Sequence, residues 1–317
     1  MSHWESMKTR VEEYLRVRRS LGFELKVEGG ELCRFAQFAE KQKHSGPITV
    51  ELAVAWAKSS KKGSQLFHAR RIETLRGLAK FCALFEPETE IPSRTLLGPP
   101  HRRNSPYIYT SQEIVELMDA AKQIDPQGGL RPETMRYLIG LLSATGIRIS
   151  EALHLNRRDV DLDHGCLVIR DTKFHKSRYV PLHPTAVQAL DEYTHIRERK
   201  IPFAPISTAF FLNDKGTPFH YRQALYAFQS IRRRLGWEKK GVRPPRLYDL
   251  RHTFACRRLL AWYEQGVDVN SAILHLSVYL GHSKVTDTYW YLTGIPSLMT
   301  IAAEYFEHHF GQGGSHA

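Results

Sequence analysis

The sequence is poor in cysteine and has no long apolar run. Its four cysteines, Cys33, Cys82, Cys166 and Cys256, lie far apart, with no CxxC pair and no Cys/His cluster at ligand spacing. That excludes a disulfide-stapled scaffold and argues against structural zinc. No stretch approaches the roughly 20 apolar residues of a membrane span, and Met1 to Arg10 lacks the apolar core of a secretory signal. A reducing, cytoplasmic compartment is therefore expected. Internal repeats and low-complexity blocks are also missing. What is present is a foldable composition, 42% apolar and 25% charged, with 45 basic against 33 acidic residues and a net charge of +12 over 317 residues. A surplus of that size points to a polyanionic partner, most often nucleic acid.

The chain has one seam. Residues 86–105 carry four prolines (Pro87, Pro92, Pro99, Pro100) and no helical period. Proline cannot continue a helix and restricts the residue before it, so this stretch reads as a linker. The expected division is a domain over 1–86, a linker over 87–105 and a domain over 106–317. Residues 1–105 hold 19 basic and 12 acidic residues and the remainder 26 and 21, so both halves are basic and an extended polyanion could touch both.

The first half reads as helices over Val11 to Leu21, Glu31 to Gln42, Val50 to Ala57 and Gln65 to Phe85, each with apolar positions three and four apart. Lys58, Lys61, Lys62, His68, Arg70 and Arg71 surround a basic loop that feeds the last of these. Such a loop offers cations and free backbone N–H groups to a phosphate, or is simply a solvated basic turn. In the second half, Thr110 and Glu113 have capping-box spacing. Cys166 to Asp171 and Arg178 to Leu182 read as a hairpin, Ala209 to Leu212 as a third strand, and Ala186 to Arg199, Tyr221 to Leu235, Asp249 to Trp262 and Ser297 to Phe310 as helices.

Three stretches carry unusual chemistry. TGIRISEAL (145–153) puts Arg148 between apolar neighbours at a glycine-broken junction, where it needs an anion or a carboxylate, and Glu151 is three residues on. In YDLRHTFA (248–255), a helix start would bring Tyr248 and Arg251 to one side, while His252 alone reads as a packing or capping histidine. In LGHSKVTDTYWY (280–291), Gly281 and His282 begin a turn and Tyr291 follows nine residues after His282. Taken singly, each has a plain structural explanation.

Together and in this order they resemble the tyrosine recombinases, the phage integrase family. The segment DTKFHKSRYVPL (171–182) is similar to that family's lysine-bearing hairpin. The resemblance covers about residues 106–310. It implies a mainly α fold: a helical, SAM-like core-binding N-domain, and a DNA breaking-rejoining catalytic domain with a small antiparallel sheet, closing as a C-shaped clamp on double-stranded DNA. It also implies transesterification at a phosphodiester through a 3′-phosphotyrosyl intermediate, with no metal, no ATP and no cofactor, by a tetramer on DNA that exchanges C-terminal segments. The setting would be the bacterial nucleoid.

The implied roles follow. Arg148 and Arg251 would neutralise the charge gained by the phosphate oxygens, because guanidinium offers a rigid donor fork at any working pH. Tyr291 would be the nucleophile, with Tyr289 as its rival; a two-residue shift on a helix turns a side chain by about 200°. Lys173 would be the general acid on the 5′-oxygen, with Lys176 as its rival. His282 would bond the scissile phosphate, and Glu151 would orient Arg148. Arg102, Arg103, Lys176 and Arg178 would contact the DNA backbone, with the cations around the first-half loop. Two further readings share these residues: a DNA-binding protein of this fold without cleavage, and a type IB topoisomerase-like relaxase. One position departs from the family: Tyr248 stands where histidine is usual, and a phenol is a poor proton acceptor at neutral pH. Replacing Tyr248 with His is expected to keep or raise the rate of covalent adduct formation on a nicked substrate; complete loss would show that its place in the site has been misread.

Overall fold

The computed structural model describes residues 4–60, 63–101, 105–170, 177–202, 208–240 and 243–293. The chain divides into two compact units, Met1–Asn104 and Ser105–Ala317.

The first unit contains four helices, α1 (Met7–Ser20), α2 (Lys26–Lys41), α3 (Val50–Lys58) and α4 (Gln65–Cys82). Three begin at side-chain caps: Ser6, Thr49 and Ser64 each accept a backbone N–H of the first turn. Their apolar faces meet in a core built on Leu15, Leu32, Phe35, Trp56, Ile72 and Leu75. α1 and α2 begin earlier than the apolar spacing indicates, because their first turns are polar. α4 ends at Cys82, three residues short of the expected Phe85.

The proline-rich stretch is largely a strap on this unit. Glu86 is buried and takes two hydrogen bonds from the equally buried Arg10, from Nε at 2.9 Å and Nη2 at 2.6 Å. The Glu90 carboxylate accepts from Val50 N at 2.5 Å. Pro92 and Pro100 offer their carbonyls to Arg76 and Arg70. Glu90 N donates to Ile48 O at 2.8 Å as well, so carboxylates, carbonyls and an amide all hold the stretch down, and the prolines leave fewer N–H groups to satisfy.

The second unit contains α5 (Ser111–Ala121), α6 (Leu130–Thr145), α7 (Ile149–Leu153), a sheet of β1 (Val160–Asp161), β2 (Cys166–Ile169) and β3 (Arg178–Pro181), then α8 (Pro184–Lys200), α9 (Tyr221–Arg234), α10 (Asp249–Glu264), α11 (Val269–Leu280) and α12 (Thr286–Thr293). The capping box at Thr110 and Glu113 is formed. The sheet is antiparallel in the order β1-β2-β3, with Leu167 opposite Val180 and Ile169 opposite Arg178. Ala209 to Leu212 does not join it. Asn156 pairs with Ala209 and Leu212 with Pro218 as isolated bridges, and the third strand is β1. The apolar run 209–212 instead fills the core beside Tyr193. Helix α11 has no counterpart in the sequence reading: apolar residues occupy so many of its positions that no polar face marks the period. The expected helix over Ser297 to Phe310 lies outside the described residues. Among those residues, no helix is long and apolar enough to cross a membrane.

Replacing Glu86 with Ala removes the carboxylate that takes two hydrogen bonds from the buried Arg10 guanidinium. The first unit should lose about 3–5 kcal/mol, read from its urea-unfolding midpoint in the full chain, and the double replacement Arg10→Met, Glu86→Leu should recover most of that.

Candidate active site

The site is built at helix ends. α6 stops at Thr145 because Gly146 takes a left-handed conformation, φ 63°, and a Cβ there would lie 2.4 Å from the Phe254 ring. α11 stops at Leu280 with Gly281 in the same conformation, φ 68°. The last carbonyls of a helix have no partner within it and carry its negative end. Here arginines take them. Arg251, from the first turn of α10 and 1% exposed, donates from Nη1 to Gly146 O at 2.8 Å and from Nη2 to Leu280 O at 2.6 Å. Arg148, just before α7, donates from Nη2 to Gly281 O at 2.6 Å and from Nη1 to Glu151 Oε1 at 2.8 Å. Burial, then the neighbouring Arg148 charge, lowers the pKa of Arg251.

Glu151 lies below Arg148 and is clamped from the far side by Arg178. The Arg178 guanidinium bonds both carboxylate oxygens, at 3.0 and 2.8 Å, and its Nε donates to Tyr279 O at 2.8 Å. Burial alone would raise the Glu151 pKa, but hydrogen bonds and charge from Arg178, then Arg148, hold it below the usual value.

Around the two arginines stand the rings. His282 follows the α11 cap; its Nδ1 is 2.6 Å from the buried Thr288 hydroxyl, and its ring lies 6.3 Å from that of Tyr291, nearly parallel. Burial, then Arg251 and Arg148, lowers the His282 pKa to about 4. Tyr291 is 2% exposed, while Tyr289 is 40% exposed. The Tyr291 hydroxyl lies 3.0 Å from Nδ1 of His252. Burial raises its pKa and the Arg251 charge opposes that rise. Tyr248 stands just before α10 with its ring edge-on to His252 at 4.9 Å.

The structure thus brings Arg148, Glu151, Tyr248, Arg251, His282 and Tyr291 into one neighbourhood. Lys173 and Lys176 fall between β2 and β3 and lie outside the described residues, as do Lys61, Lys62, Arg102 and Arg103. Lys58 and Arg70 are exposed; His68 is half-buried, with Nε2 3.3 Å from Ser60 O. Two expected DNA contacts need correction. Arg71 is inside the first unit: it lies 4.0 Å over the Trp56 ring, donates to Trp56 O at 2.8 Å and pairs with Glu31. Its side chain has been spent on the core. Arg178 faces Glu151 rather than solvent. His252 and Thr288 are the contributors that sequence reasoning passed over. His252 was legible only as a neighbour of Arg251, and nothing in the spacing marks Thr288.

This is the architecture of a DNA breaking-rejoining catalytic domain. Residues 108–294 match the phage integrase family. The chain is 37% identical over 301 residues, 94% of its length and 96% of the relative's, to a Sinorhizobium fredii protein, y4rB, whose name describes an integrase/recombinase. It is 32% identical to the tyrosine recombinase XerC of Chlamydia caviae over 69% of this chain and 64% of that one. In fold it is similar to the Tn1549 transposon integrase in complex with transposon right end DNA, with a TM-score of 0.70 at 16% identity over 96% of this chain and 99% of that chain. The XerH site-specific recombinase bound to its difH substrate gives 0.65 at 20% identity, over 95% and 85%. The chain belongs to the phage integrase family and is a tyrosine recombinase.

Arg178→Ala should free Glu151 and loosen Arg148, slowing strand cleavage by about 100-fold, since misplacement by an ångström is worth that much. Glu151 has a depressed folded pKa, so its stabilisation is present above the unfolded value near 4.3 and is lost as pH falls through the folded one. Removing Arg178 should shrink that contribution and flatten the fall in Tm below about pH 4.3; a variant with unchanged cleavage and an unchanged acid profile would contradict the clamp.

Proposed function

We propose that the protein performs site-specific recombination by cutting and rejoining DNA through a covalent tyrosine intermediate. The observation that carries this reading is the meeting of Arg148, Arg251, His282 and Tyr291, from four separate segments, around two helix ends. Displacement at a phosphodiester builds charge on the nonbridging oxygens, and fixed cations in a water-poor site stabilise that charge best. Arg148 and Arg251 supply them, each already oriented by backbone carbonyls. In the tautomer in which Nδ1 accepts from the Thr288 hydroxyl, His282 carries its proton on Nε2 and offers it to the phosphate while remaining neutral.

Tyr291 Oη attacks phosphorus, the bond to the 5′-oxygen breaks, and a 3′-phosphotyrosyl link forms. Lys173 protonates the departing 5′-oxygen. The bond energy stays in the phosphotyrosine, so a 5′-hydroxyl from another strand rejoins the DNA without ATP. Double-stranded DNA is the partner, and the C-terminal apolar residues Leu298, Met299, Ile301, Ala302, Tyr305, Phe306 and Phe310 would dock on a neighbouring copy to hold a tetramer on two sites.

Incubating the full chain with fragmented genomic DNA, denaturing it and sequencing what stays bound tests the reading and identifies the target. Wild type should retain 3′-linked DNA sharing a common sequence, with no added divalent metal, and Tyr291→Phe should retain none. Equal retention by the two proteins would refute the role of Tyr291.

A further inference from the structure

The proton on Tyr291 needs somewhere to go. Tyr248 is a poor acceptor at neutral pH, the arginines only donate, and Nδ1 of His282 is engaged with Thr288. Nδ1 of His252 lies 3.0 Å from the Tyr291 hydroxyl, and the Arg251 guanidinium, which can only donate, also faces that oxygen. The imidazole is held among rings on three sides: Tyr248 at 4.9 Å, Trp290 at 5.6 Å and Tyr291 at 5.5 Å. A ring so enclosed has little rotational freedom, and its nitrogen stays aimed at the phenol.

We infer that His252 is a catalytic residue of the strand-transfer reaction, the general base that receives the Tyr291 proton. The inference rests on the proposed function above. In cleavage the proton moves from Tyr291 Oη to His252 Nδ1 as the Oη–P bond forms and the P–O5′ bond breaks, with the 5′-oxygen protonated separately. In rejoining, the incoming 5′-hydroxyl attacks phosphorus and gives its proton to the Lys173 amine that had protonated the 5′-oxygen, the Oη–P bond breaks, and His252 returns its proton to the phenolate.

The electrostatics agree with the geometry. Burial lowers the His252 pKa to about 4; Asp249 at the start of α10 opposes this, while Arg246 and Arg251 add to it. His282, beyond the end of α11, and Tyr291, on α12, face the same space. The imidazole is therefore neutral at pH 7 and free to accept. A DNA phosphate on Arg148 and Arg251 brings a negative charge beside it, which raises its basicity just when the proton must move.

The test uses the full chain and a nicked duplex carrying the sequence recovered by covalent capture. The duplex is made in two forms, with oxygen or with sulfur as the 5′ bridging atom. A thiolate leaves without an acid, so the sulfur form bypasses Lys173 but still needs a base. His252→Gln is expected to slow adduct formation at least about 100-fold on both forms, with DNA binding and Tm close to wild type. His252→Asn should behave alike, and imidazole should partly restore His252→Gly. A wild-type rate with His252→Gln, or a defect that sulfur relieves, overturns the assignment. Should the variants fail to fold, the wild-type pH profile on the sulfur form decides: a plateau above one pKa between about 4, the value without DNA, and about 8 supports a histidine base, and a tenfold rise per pH unit up to pH 9 overturns it. Absence of any adduct with wild type would instead remove the recombinase reading itself.

Discussion

The site depends on guanidinium groups held by the carbonyl ends of helices. A buried arginine is costly unless its donors are met. The two terminal nitrogens of Arg251 are met by Gly146 O and Leu280 O, which are dipoles and not charges, while its buried Nε has no hydrogen-bond partner among the described residues. That choice has a chemical consequence. A carboxylate partner would cancel the positive charge, whereas a carbonyl satisfies the N–H groups and leaves the charge for an incoming anion. Arg148 combines both solutions, with Gly281 O on one nitrogen and Glu151 on the other. Because α6 and α11 both end in left-handed glycines beside these arginines, fold and site share the same atoms.

The burial that makes the arginines effective makes the phenol reluctant. Tyr291 lies deep enough that its pKa is pushed up, and both histidines are pushed down. Each group is therefore neutral at pH 7 while the two guanidiniums are not. In the proposed reaction a DNA phosphate would balance this field: its charge would be drawn by the arginines, it would make a nearby imidazole more basic, and it would present phosphorus to the phenol.

What was legible in the sequence was local. Thr110 and Glu113 announce the start of α5, and Arg148 and Glu151 announce their own pair, because three residues of separation is a helix-turn distance. The ordered boxes around Arg148, Arg251, His282 and Tyr291 resemble the family closely enough to indicate both fold and chemistry. Long-range pairing was not legible. Arg178 meets Glu151 across 27 residues through the position of β3. Arg71 was read as a phosphate contact because a basic loop precedes it, but Trp56 and Glu31 draw it into the core. Ala209 to Leu212 has the composition of a strand, yet the sheet is completed by Val160 and Asp161.

The amino-acid sequence by itself determined the helical character, the basic surplus, the place of the catalytic boxes and the family, since these follow from residue type and near-neighbour spacing. Only the tertiary structure decided which cations still face outward from their partners, that His252 and not residue 248 lies beside the Tyr291 hydroxyl, and that the phenol is buried. Those outcomes depend on where α10, α11 and α12 cross, and a crossing is set by the packing of whole helix faces that no short stretch of chain contains.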